Sequence, residues 1–308
     1  MASAGGRVQP QNGRPEAPSA GDRAQPQNLP PEASSVGGRV QPESERPDVP
    51  SAADTALPET TVSTVQPRRV LGVDGCPAGW VTVRLIDGVV DDVEVVETLD
   101  AALESPYDAV AIDMPIGLLQ APRGADQAAR QVLGHRASSV FSTPPRAVVS
   151  AWTDGSVTEY AQANALATET IGSGISQQAW RLVPKIAEVD RHVAAGAPLH
   201  EVHPEVAFAI VVGAALPRKR SWAGFTTRRA VLERYELMLP ERFTGDDAAA
   251  PDDVLDAAIC AWVADGIASG APTLSIPEGT QQTDRGRPVV MTARIPPPVT
   301  PGPRRPRA

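Results

Sequence analysis

Cysteine is scarce. The 308 residues hold two, Cys76 and Cys260, with no CxxC and no Cys/His pairing. A thiolate zinc site and a disulfide framework are therefore not expected, and a reducing cytoplasm fits best. Long apolar runs are also lacking: none reaches the roughly 18 residues that cross a bilayer. The first residues, MASAGGRVQPQNGRPEAPSA, hold no apolar stretch, so no secretory signal is expected. Basic charge is the third deficit. Lys and Arg total 28 against 37 Asp and Glu, for a net charge of −9, and the acidic excess sits in the middle of the chain. Broad, non-specific binding of duplex nucleic acid depends on Lys and Arg neutralising phosphates, and this balance argues against it.

Proline is abundant. The chain has 32 Pro and 25 Gly, crowded toward its ends. Residues 5–20, 21–36 and 37–52 align without gaps at a period of sixteen (GGRVQPQNGRPEAPSA, GDRAQPQNLPPEASSV, GGRVQPESERPDVPSA). Stacked repeats need an apolar face, and these have almost none. Residues 1–67 therefore read as a disordered, partly polyproline tail, with a protein-binding arm as the functional alternative. Residues 291–308 read as a basic, Pro-rich tail of the same kind.

The expected domain is 68–290, a mixed α/β chain. RVLGVDG and WVTVRLID read as strands joined by a turn at Cys76–Gly79, and VVDDVEVVET as a third. DAALES is a short helix, and YDAVAIDMP a fourth strand stopped at Pro115. Helices are expected over 125–133, 157–171, 176–195 and 228–239. A short strand in LHEVHP and a helix in EVAFAIVVGA lie among them. PDDVLDAAICAWVADGIAS reads as a strong final helix with Leu255, Ile259, Trp262 and Val263 on one stripe.

Two strands end in an acid, Asp74 and Asp113, and such carboxyl ends are where open α/β sheets place their sites. On the final helix Asp253 and Asp256 are three apart and share a face. If that face looks at the strand ends, three or four carboxylates converge, and hard oxygen donors suit Mg²⁺ or Mn²⁺. Two such ions about 3.5–4 Å apart can activate water and stabilise the leaving oxygen of a phosphodiester. The plainer readings are that Asp252 or Asp253 caps the helix and that Asp74 and Asp113 accept turn N–H groups. Arg123, Arg130, Arg136 and Arg146 offer forks for phosphate, although Asp126 can tie up its own arginines. Lys185 is a further cation, or half of a surface pair with Glu188. Glu205, beside His203 and Pro204, is a metal ligand or general base, or a helix-dipole acid. LPRKRSWAGFTTRR interleaves basic residues with Trp222 and Phe225, as a strand-binding surface would.

GVDGCPAGWV, AIDMPIGL, RGADQAARQVLGHRASSVFSTPPR, QQAWRLVPKIAEVD, EVHPEVAF and DDVLDAAICAW together resemble the DUF429 family of predicted nucleases with an RNase H-like fold. The resemblance spans roughly 70–290 in order and covers neither tail. It implies a mixed sheet, three antiparallel strands then parallel ones, flanked by helices. It also implies a site of Asp74, Asp113, Asp253 and Asp256, with Asp74, Asp113 and Asp256 on the metal. Glu205 falls in the family's PE motif. Ala125 stands where the family often has Cys, which removes a thiol there. A metal-dependent nuclease is the first expectation. A non-catalytic binding module is second, and an actin-like phosphotransferase, which needs a second similar domain, is third.

Overall fold

The computed structural model describes residues 66–298; the sixteen-residue repeats lie outside them. Three antiparallel strands open the fold: β1 (Arg69–Cys76), β2 (Gly79–Ile86) and β3 (Val89–Val96). Helix α1 (Leu99–Ala102) leads into β4 (Ala109–Ile112), which lies parallel to β1 with Val73 beside Ile112. β5 (Leu199–Glu201) then pairs parallel to β4, giving the order β3-β2-β1-β4-β5. This is the mixed sheet that the resemblance implies. β1 is apolar on both sides because both of its faces are covered. Val70 joins one apolar cluster, while Leu71 and Val73 join another.

Between β4 and β5 lie α2 (Gly124–Leu133), α3 (Arg146–Thr153), α4 (Tyr160–Ile171) and α5 (Gln177–Ala194). After β5 come α6 (Pro204–Val212), α7 (Trp222–Arg234) and α8 (Pro251–Ala268). α5 lays Ile186 and Val189 on one face of the sheet. α8 covers the other face with Leu255, Ile259 and Trp262. Gly72 makes that second contact possible: a Cβ there would lie 2.1 Å from both the Ala257 carbonyl oxygen and the Ala261 nitrogen. Only glycine lets α8 come this close to the central strand.

Several sequence expectations need correction. α3 is not among the expected helices, yet the extended Pro145 immediately before it starts a helix at Arg146. α7 begins at Trp222 rather than 228, because the Ser221 hydroxyl accepts the Gly224 N–H and caps it. The boundary at 290 also moves. Past it, β9 (Met291–Arg294) pairs antiparallel with β6 (Thr273–Ile276), and Met291 and Ala293 are buried. A small hairpin of β7 (Thr283–Asp284) and β8 (Arg287–Pro288) lies between them. Both cysteines are buried and free. No helix among the described residues is long and apolar enough to cross a membrane.

Candidate functional site

Asp74 sits near the end of β1, and Asp113 follows β4 directly, its N–H held by the Val73 carbonyl at 2.9 Å. The parallel pairing of β1 and β4 therefore brings two strand-end acids side by side. α8, seated on Gly72, lowers Asp256 between them. Carboxylate oxygens of Asp74, Asp113 and Asp256 lie within 4.8 Å of one another, a set that could hold a divalent metal ion. A strand-end acid in a tight turn could stand exposed, as Asp74 does not. It is instead only 6% exposed, on the floor of a cleft of about 620 Å³, with one oxygen accepting the Gly75 N–H at 2.7 Å.

Burial and mutual repulsion disturb these acids as expected for close carboxylates. Burial, then the Asp113 and Asp256 charges, hold the Asp74 pKa well above the ordinary range. Burial pushes Asp113 and Asp256 each up to about 7. Asp253, at the rim, is half-buried, and burial followed by Asp252 raises it as well. The N-terminal flank of α8 is Ala250, which offers no capping side chain, and Asp252 and Asp253 lie in the first turn of the helix. Asp252 meets Arg220 and Lys219 at 3.4 Å each.

Lys219, which sequence reasoning left unassigned within its basic stretch, stands against Asp256. Its Nζ lies 2.5 Å from Asp256 Oδ2. Asp256, among others, holds the Lys219 pKa above its ordinary value. Asp256 Oδ1 has no hydrogen-bond partner among the described residues, although the residue is 2% exposed. Glu205 also lines the cleft, but one of its oxygens accepts from the fully buried Arg228 at 2.8 Å. Its other oxygen is buried without a partner among the described residues. Arg228 also donates to the carbonyls of Pro217 and Gly224, and so fixes the segment that carries Lys219. His203 lines the same cleft, and burial pushes its pKa down, which keeps the imidazole neutral.

Of the five cations expected to face substrate, the structure places one, Arg136, on the cleft wall. Arg123 is turned inward, where it pairs with Asp126 at 3.0 Å and Glu201 at 2.5 Å. Arg130 donates to the Val140 carbonyl and the Ser142 hydroxyl. Arg146 pairs with Asp190 and Asp284 beside a separate depression. Lys185 donates to the Gly79 carbonyl and stands 4.2 Å over the Trp80 ring, so it secures the β1–β2 turn. Its expected partner, Glu188, instead accepts from the Trp80 indole and the Leu99 N–H. Each of these four already has internal acceptors. Arg181 and Arg220 line the cleft in their place. Arg220 lay in the basic stretch already noted; nothing in the helical pattern around Arg181 marked it, because wall membership depends on how α5 is seated.

A family model described as "Protein of unknown function (DUF429)" matches residues 72–281. The chain belongs to DUF429. The matched segment includes Asp74, Asp113, Glu205, Lys219, Asp253 and Asp256, while Met291, which also lines the cleft of this DUF429 chain, lies beyond it. No curated protein and no solved structure matches the chain.

Proposed function

We propose that the cleft hydrolyses phosphodiester bonds of nucleic acid with a divalent cation, Mg²⁺ or Mn²⁺, held by Asp74, Asp113 and Asp256. The observation that carries this is the convergence of the three carboxylates within 4.8 Å, with Asp256 Oδ1 buried and unpartnered. A buried acid with a free oxygen is costly unless a proton or cation meets it, and an all-oxygen donor set fits a hard ion. Bound there, the ion supplies a polarised phosphoryl oxygen and a more acidic water.

The chain's own residues account for the rest. Arg136, Arg181 and Arg220 line the cleft and offer guanidinium forks to phosphate oxygens. Trp222, two residues beyond Arg220, is 80% exposed. A free aromatic face beside basic groups suits an unpaired base. Asp253, at the rim, accepts the proton of the attacking water at a carboxylate oxygen, a task that its raised pKa favours. The neutral His203 adds no positive charge to the wall.

A binding module without turnover is the second reading. It rests on Lys219, which offsets part of the acidic charge with no metal at all. Cleavage of single-stranded DNA and RNA oligonucleotides by the full-length protein separates the two. Mn²⁺ should stimulate cleavage and EDTA abolish it. Asp74→Asn should keep its circular dichroism and lose more than about 100-fold in rate, since even outer-shell changes at metal sites cost 10–100-fold. Unchanged cleavage in Asp74→Asn removes the nuclease assignment. Oligonucleotide binding that persists in EDTA, with no cleavage under any metal, selects the binding module.

A further inference from the structure

We infer that the Lys219 ammonium stands in the place of a second divalent cation, so that the carboxylate cleft takes one metal ion rather than two. The inference rests on the cleft holding a divalent ion and changes what that site contains.

Three observations lead to it. The first is geometric. Asp256 divides its two oxygens: Oδ2 meets Lys219 Nζ at 2.5 Å, while Oδ1 is buried and has no partner. The same ammonium lies 3.4 Å from Asp252 Oδ2. Paired catalytic ions stand about 3.5–4 Å apart and share carboxylate ligands. A second ion would need oxygens from α8: Asp256 Oδ2 and Asp252 Oδ2 both already face Lys219, and Asp253, which lines the cleft from the same helix, is the proposed acceptor of the water proton. One free oxygen on Asp256, joined to Asp74 and Asp113, serves a single ion.

The second observation is charge. Asp74, Asp113 and Asp256, when ionised, carry three negative charges, and Lys219 leaves two of them unbalanced. One divalent ion closes that difference.

The third is how Lys219 is held. Arg228, fully buried, grips the Pro217 and Gly224 carbonyls on either side of it and is itself anchored by Glu205. The Ser221 side chain accepts the Gly224 N–H and donates to the Arg218 carbonyl, closing the turn just after Lys219. A free surface lysine keeps its rotamers, whereas this one springs from a segment tied at both ends and is 31% exposed in its side chain. Glu205 offers the other buried free oxygen in the cleft, but its partner oxygen is spent on Arg228.

The test is a count of Mn²⁺ ions on full-length protein at pH 8. Calorimetry gives stoichiometry, and electron paramagnetic resonance reports whether two ions are spin-coupled. Wild type should bind one ion with an uncoupled spectrum. Lys219→Arg, which keeps the charge, should also bind one. Lys219→Met should bind two, with a coupled spectrum. Two coupled ions in the wild type, or only one in a folded Lys219→Met, overturns the inference while leaving the metal-dependent reading in place. No ion in the wild type overturns both. If Lys219→Met does not fold, the wild-type count repeated with a non-cleavable phosphorothioate strand decides the matter. A second ion entering with the strand overturns the inference, and a count that stays at one upholds it.

Discussion

Asp113 and Asp256, each pushed up to about 7, and Asp74, held well above its ordinary range, give the metal-free protein a definite pH response. An acid whose pKa is raised by folding binds its proton more tightly in the native state. Between its ordinary value near 4 and about 7, the native chain therefore holds more protons than the unfolded one, and stability falls as pH rises through that window. A divalent ion needs the ionised forms and reverses the trend. We expect Mn²⁺ to raise the melting temperature strongly at pH 8 and hardly at pH 5. Without metal, Asp113→Asn should melt above wild type at pH 8, and thermal melts in EDTA check this. A wild type whose metal-free stability does not change from pH 5 to 8 would contradict the crowding of these acids. Lys219 does not blur the window, because its raised pKa keeps it charged throughout.

At the scale of elements, the site is a consequence of how α8 meets β1. The helix approaches so closely that Gly72 has no room for even a methyl group. Gly72→Ala forces the helix outward, an overpacking cost of roughly 1–3 kcal/mol. It also draws Asp256 away from Asp74. Urea unfolding should show the stability loss, and Mn²⁺ calorimetry should show weakened binding in the same variant. Full stability together with native Mn²⁺ affinity would mean that the helix does not set the distance between the acids. The two parallel strands contribute the other half of the geometry, since β4 places Asp113 level with the end of β1.

For the molecule as a whole, the C-terminal strand belongs to the fold. Met291 and Ala293 are buried with Ala129, Leu133 and Val206 from α2 and α6. Arg294 stacks over Trp262 at 4.6 Å and pairs with Asp265 at 3.0 Å, which ties β9 to the back of α8. A chain ending at 290 loses the burial of one large side chain, roughly 1.5–3 kcal/mol, together with that ion pair. We expect it to be less stable than a chain ending at 298 by roughly 2–4 kcal/mol, and denaturant titration of the two measures it. Equal midpoints would show that β9 is dispensable.

The sequence by itself placed the strands, because alternating and continuous apolar runs report which faces are buried, and its resemblance to DUF429 implied their order, three antiparallel then parallel. It also singled out Asp74, Asp113 and Asp256, since an acid at the end of an apolar run, and another well inside the first turns of a helix, have few local explanations. Only the tertiary structure decided which cations serve them. Arg123, Arg130, Arg146 and Lys185 were candidates for phosphate, yet Arg123, Arg146 and Lys185 are satisfied by acceptors far away in sequence, such as Glu201 for Arg123 and Asp284 for Arg146, and Arg130 by Val140 and Ser142 in the loop that follows its helix. Lys219 looked like one basic residue among several until the seating of α8 put Asp256 beneath it. Charge pairing across a fold depends on distances between elements, and local pattern does not encode them.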